Sequence, residues 1–77
     1  MYNLGDKVRM TQAGLANWYR GMEYDNENPA NMDGVVIDLI EDVDMGELLK
    51  NLGFVCRVKW ANGCINSYKA GDLEVVA

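Results

Sequence analysis

Histidine is absent from the 77 residues. That removes a His-based catalytic triad, a His metal site and a His pH switch. Cysteine occurs twice, at Cys56 and Cys64, and two thiols without His or further Cys do not make a zinc site. No apolar run exceeds four residues, Gly34-Val35-Val36-Ile37 being typical, so a membrane-spanning helix is excluded. The opening Met1-Tyr2-Asn3-Leu4-Gly5-Asp6 lacks the basic and apolar regions of a signal peptide. A cytoplasmic protein with reduced thiols is therefore expected. Gly-rich phosphate loops, nucleophile elbows and metal motifs are missing as well. So short a chain has little room for an enzyme pocket, and a non-enzymatic protein without cofactor is expected. Residues 1–77 make one domain.

The composition is globular: 49% of residues are hydrophobic and 25% are charged. The net charge of −5 is unevenly spread. Residues 21–47 hold nine acids and no base: Glu23, Asp25, Glu27, Asp33, Asp38, Glu41, Asp42, Asp44 and Glu47. The flanking segments are each slightly basic. An acidic middle repels phosphate, which disfavours binding to duplex nucleic acid. It suits either a solvated face that aids solubility or a surface for a basic protein partner.

Alternation marks the strands. Lys7-Val8-Arg9-Met10 places Val8 and Met10 inward. Residues 11–33 show no sustained period and many turn formers, so a long loop is expected there. Gly34 to Ile40 reads as a second strand, with Val35, Ile37 and Leu39 inward. Met45, Leu48, Leu49 and Leu52 then have helical spacing. Asp44 with Glu47 fits a capping box, Lys50 the last turn and Gly53 the position past the end. A short helix with its apolar stripe against the sheet is expected between strands two and three.

Phe54 to Trp60 alternates most clearly, with Phe54, Cys56, Val58 and Trp60 on one side. Asn62-Gly63 marks a hairpin turn. A two-residue turn sets Ile65 beside Trp60 on the core face, whereas a type I turn with a Gly bulge sets Cys64, Asn66 and Tyr68 there. In the two-residue register Cys56 faces Lys69 and Cys64 faces Ala61, too far apart for a disulfide. Ala70-Gly71-Asp72 is a tight turn before a last strand from Leu73 to Val76. The expected core is Val8, Val35, Ile37, Leu39, Cys56, Val58, Trp60, Leu73 and Val75.

Five short strands in this order suggest a small closed barrel, since closure leaves few exposed edges. The pattern resembles the Src-homology-3-like (SH3-like) barrel: mainly β, five strands, with a long first loop and a short helix inserted between strands two and three. The resemblance rests on Leu4-Gly5-Asp6-Lys7-Val8-Arg9, Gly34-Val35-Val36, Val58-Lys59-Trp60-Ala61-Asn62-Gly63 and Tyr68-Lys69-Ala70-Gly71-Asp72-Leu73, about half the chain. A similar run of Val, Trp, Asn-Gly, Tyr and Asp-Leu recurs in Mib/Herc-type barrels. The variable chain of ferredoxin–thioredoxin reductase, the small barrel subunit of photosystem I and small uncharacterised bacterial and bacteriophage barrels look similar too. The 11–33 loop lacks the alternating aromatic-and-acid signature of eukaryotic signalling barrels, and residues 41–53 are longer and more acidic than a plain connection. Both features argue against polyproline recognition.

Trp18, Tyr19 and Tyr24 stand in the first loop beside Glu23, Asp25 and Glu27. Aromatics next to acids suit a basic or Pro-rich protein segment, and Tyr68 joins that face if the turn is bulged; Trp18 as a lid on the small core is the other reading. Asp25-Asn26-Glu27-Asn28 with Asp33 is rich in oxygen but lacks the glycine and terminal Glu of a calcium loop. The expected function is therefore a protein-binding module, an adaptor or inhibitor, with the resemblance implying a stand-alone bacterial or bacteriophage protein. Two other functions fit the pattern. One is a nucleic-acid-related role, as an acidic mimic or a weak single-strand binder. The other is an accessory subunit of an electron-transfer complex.

Overall fold

The computed structural model describes residues 2–18, 31–42 and 46–76. Five strands form one antiparallel sheet: β1 (Lys7–Met10), β2 (Gly34–Leu39), β3 (Phe54–Trp60), β4 (Ile65–Lys69) and β5 (Leu73–Val75). Their order across the sheet is β4-β3-β2-β1-β5. Two short helices accompany them, α1 (Gln12–Trp18) and α2 (Gly46–Asn51), with 3₁₀ turns at Ile40–Asp42 and Ala70–Asp72. The fold is mainly β, as the alternation predicts.

β4 and β5 are the two edges of the sheet, yet only the Ala70–Asp72 turn joins them. From Lys69 to Leu73 the chain reaches at most about 15 Å. The edges of a flat five-stranded sheet lie about 19 Å apart. The sheet therefore curls, and its concave side holds the core. All five strands contribute to that core: Val8, Met10, Val36, Cys56, Val58, Trp60, Tyr68 and Leu73. The edges do not pair with each other among the described residues.

The first loop contains a helix that the sequence pattern hides. α1 spans two turns and carries two glycine or asparagine positions, so its period is too short to stand out. Thr11 caps it, its hydroxyl accepting the Gly14 N–H at 3.0 Å and donating to the Gly71 carbonyl at 2.8 Å. Gly14 lies so close to the Asp72 backbone that a Cβ there would collide with it.

β2 corrects the expected parity. Gly34 pairs with Trp60, Val35 with Lys59 and Val36 with Val58, but Asp38 pairs with Arg57 and Leu39 with Cys56. One extra residue is therefore accommodated on β2 between Val36 and Asp38, a β-bulge. Before it, Val36 faces the core and Val35 faces water; after it, Leu39 turns inward and Asp38 outward, as expected. Ile37 sits at the bulge itself and is half-buried. Strict alternation cannot register such a slip. Gly34 has a packing reason: a Cβ there would lie 2.5 Å from Val58 Cγ1 and 2.6 Å from Trp60 Cε3.

The hairpin takes the bulged form. Lys59 pairs with Ile65, Arg57 with Ser67 and Cys56 with Tyr68. The Trp60 N–H donates to the Cys64 carbonyl and the Gly63 N–H to that of Trp60, each at 2.8 Å. Gly63 has φ +90, which glycine adopts without a Cβ clash. Tyr68 thus enters the core beside Trp60, edge to face at 5.6 Å between ring centroids, and its hydroxyl accepts the indole N–H at 2.8 Å. Cys56 faces Tyr68 rather than Lys69, and both cysteines are free thiols.

The expected core holds at Val8, Cys56, Val58, Trp60 and Leu73, which are all buried. Val75 has the right parity, opposite Val8, but ends an edge strand and is 58% exposed. Met10, Val36, Ile40 and Tyr68 complete the buried set.

Two stability outcomes follow from this packing. Val58→Ala empties a fully buried position and should cost about 1–3 kcal/mol. Tyr68→Phe keeps the ring but leaves the buried indole N–H without this acceptor, which should cost about 1–3 kcal/mol. Urea unfolding followed by Trp fluorescence measures both, and unchanged midpoints would refute this core.

Candidate partner-binding groove

A hollow of about 560 Å³ opens at one end of the curled sheet. Leu39 and Ile40 line it from the end of β2, Phe54 and Val55 from the start of β3, Ala70 from the second 3₁₀ turn, and Tyr2 from the chain ahead of β1. Glu41 and Lys50 stand at its rim. The lining is mostly apolar with a few polar groups, the make-up of a recognition groove.

Local sequence explains each wall. Gly46 is buried, and a Cβ there would collide with the Ile40 carbonyl oxygen, so only glycine lets α2 start against the first 3₁₀ turn. Gly53, at φ +96, reverses the chain from α2 into β3, its N–H donating to the Lys50 carbonyl at 2.9 Å. The Lys69 ammonium sits 5.7 Å from the centroid of the Phe54 ring, a cation–π contact to this groove residue. The Tyr2 hydroxyl lies 2.8 Å from the Ala70 carbonyl oxygen and 2.7 Å from that of Leu73, donating its single proton to one or the other.

α2 departs from its expected orientation. It forms where the helical spacing predicts, with Glu47 in the first turn and Lys50 in the last. Asp44 and Met45, its expected cap and first apolar residue, lie outside the described residues. Its apolar stripe lies back only in part: Leu49 is half-buried, but Leu48 is 51% and Leu52 56% exposed, and Val55 of β3 is exposed as well. A helix of under two turns, tethered at Gly46 and Gly53, has only its base against the core.

Burial governs the titratable groups near the groove. Desolvation is the main cause that raises the Tyr2 pKa, followed by the negative charges available to Cys56 and Asp72. Burial also pushes the Cys56 thiol up to about 11. A fully buried thiol with so high a pKa is a poor nucleophile and a packing group. No cluster of three metal-ligating side chains occurs among the described residues.

The residues expected to form the binding face are distributed differently. Tyr68 is fully buried in the core, so it presents no exposed ring. Trp18 closes α1, and its side chain lies outside what the structure describes. Tyr19, Glu23, Tyr24, Asp25 and Glu27 also lie outside the described residues. The sequence reading missed the groove because its walls come from five separated segments. One signal was available: Val55, Leu48 and Leu52 are apolar residues on elements whose core-facing positions are already filled.

Compared with known protein families, with curated proteins and with solved structures, the chain matches none.

The raised thiol and phenol have a pH consequence. Each holds its proton more tightly folded than unfolded, so each contributes stability that is present below the unfolded pKa and lost as pH rises. For Cys56 the loss runs between about 9 and about 11. Unfolding midpoints should fall over that window, and less steeply in Cys56→Ala. In native protein at pH 8, a thiol reagent should modify half-buried Cys64 before Cys56.

Proposed function

We propose that this chain is a non-enzymatic protein-binding module on an SH3-like barrel, working as an adaptor or inhibitor in the cytoplasm. The strand order, the bulged hairpin and the 3₁₀ turn before the last strand support the barrel reading. The groove carries the functional reading. It is large enough for one or two apolar side chains, and exposed Leu48, Leu52 and Val55 extend its apolar surface.

The occupant is a segment of a partner protein with an apolar anchor and a basic flank. Exposed Glu41 lines the groove at the first 3₁₀ turn, and exposed Glu47 stands in the first turn of α2, whose Lys50 also lines it; both acids fall within the stretch 21–47 that has nine acids and no base. Acids at a rim speed encounter with a basic partner, while the apolar lining supplies buried contact area. Glu23, Asp25 and Glu27 add to the negative charge of the chain, which favours encounter with a basic partner, and Trp18, Tyr19 and Tyr24 remain candidate partner contacts on the sequence pattern alone.

Peptide display against the folded protein tests this. Enriched sequences should combine an aromatic or aliphatic residue with neighbouring Lys or Arg. Val55→Glu should weaken their binding by about tenfold or more. Charge reversal at Glu41 and Glu47 should slow association, most at low salt, with little change in dissociation. Enrichment of sequences that bind Val55→Glu as tightly as the parent would place the interface elsewhere.

A further inference from the structure

The convex face of the sheet carries a second pattern, independent of the groove. Lys7 pairs with Val35, Val35 with Lys59 and Lys59 with Ile65. Paired residues of an antiparallel sheet share a face, so the four side chains form one row across four strands. All four are exposed, Val35 at 41% and Ile65 at 45%. The row alternates cation, aliphatic, cation, aliphatic.

The rows on either side are different. In one, Arg9 lies opposite Glu74 and binds Asp33, with Nη2 to Oδ1 at 2.8 Å. In the other, Arg57 lies opposite Asp38, with Nη1 to Oδ2 at 3.7 Å. Both arginines are thus matched by acids. Lys7 and Lys59 make no ion pair among the described residues, and the residue between them is Val35. A shallow depression of about 370 Å³ lies here, lined in part by Lys7, Val35 and Lys59.

We infer that this row is a docking surface for an acidic amphipathic helix of a partner protein. Charge complementarity identifies carboxylates as the groups that would meet the two lysines, and Val35 and Ile65 call for aliphatic side chains in alternation with them. Spacing selects the helix. Neighbouring strands lie about 4.8 Å apart, which sets Lys7 and Lys59 about 9.6 Å apart and Ile65 about 14.4 Å from Lys7. On an α-helix, positions i, i+3, i+7 and i+10 share one face at rises of about 4.5, 10.5 and 15 Å. An acid at i, an aliphatic at i+3, an acid at i+7 and an aliphatic at i+10 match the row in order and distance. An extended segment set on Lys7 has its next same-face residues about 6.8 and about 13.6 Å along, and both miss Lys59. Single-stranded nucleic acid is disfavoured because Trp60 and Tyr68 are buried in the core and Phe54 lines the groove at the far end of β3, so the row itself carries no aromatic ring on which a base could stack.

The test uses a synthetic 15-residue helical peptide with Glu at positions 2 and 9 and Leu at positions 5 and 12. A scrambled peptide of the same composition and a 15-nucleotide oligothymidylate serve as the other probes. Amide shifts of the folded protein should move at Lys7, Val35, Lys59 and Ile65 with the patterned peptide. Lys7→Glu combined with Lys59→Glu should weaken binding by about tenfold or more, and Val35→Ser by several-fold, since charge and apolar contact both contribute. These positions are exposed, and an unchanged Trp60 indole resonance verifies the fold of each variant. Equal binding of the scrambled peptide, tighter binding of the oligothymidylate, or undiminished binding by the lysine variant would each overturn the inference.

Discussion

The connection Ala70–Asp72 constrains everything else in this fold. It joins the two outermost strands of a five-stranded sheet with three residues, and a flat sheet is out of its reach. Curling is therefore obligatory. The chain grips this turn from several sides. The Thr11 N–H donates to the Asp72 carbonyl at 2.9 Å, and the Thr11 hydroxyl to that of Gly71. The buried Asp72 carboxylate accepts the Lys69 N–H at 3.1 Å. Tyr2 reaches the same turn from the N-terminal side, and the Gly14 backbone packs on it without an intervening side chain. Segments far apart in sequence thus converge on one short link.

Curling separates an inside from an outside, and the two are held by different forces. Inside, Trp60 and Tyr68 are the largest fully buried side chains of a core that is scarce at this chain length. The Tyr68 hydroxyl accepts the indole N–H, and no buried side-chain polar atom among the described residues lacks a partner. Gly34 makes room for the indole by presenting no side chain. Outside, charges pair along the rows set by strand register. The edge strand β4 is also blunted locally: the Ser67 N–H finds Asn66 Oδ1 at 3.0 Å, and the Lys69 N–H finds Asp72. Backbone donors on an edge strand otherwise invite pairing with another chain.

Two surfaces of opposite chemistry result. The groove end carries apolar side chains with acids on the flank of α2, whereas the convex face carries the unmatched lysines. They lie on different parts of the molecule because strand parity sends Lys7 and Lys59 outward, while the bulge on β2 turns Leu39 inward just before the groove. One register slip thus positions a groove wall without disturbing the outward row that precedes it.

The amino-acid pattern by itself determined the strands, the site of the hairpin, the short helix before β3 and the inward set Val8, Cys56, Val58, Trp60 and Leu73. These are local properties, fixed by alternation, turn chemistry and helix signals within a few residues. Only the tertiary structure decided the rest. The β2 bulge depends on pairing with β3, so Val35 and Val36 exchange faces without any mark in their own sequence. The choice between two hairpin registers, and with it the burial of Tyr68, depended on which side of β4 could fill the core beside Trp60. α1 was hidden because its stability comes from the grip on the Ala70–Asp72 turn rather than from its own period. The groove and the lysine row were illegible for the same reason: each gathers residues from separated strands, and adjacency across a sheet is set by register and curl, which no single segment encodes.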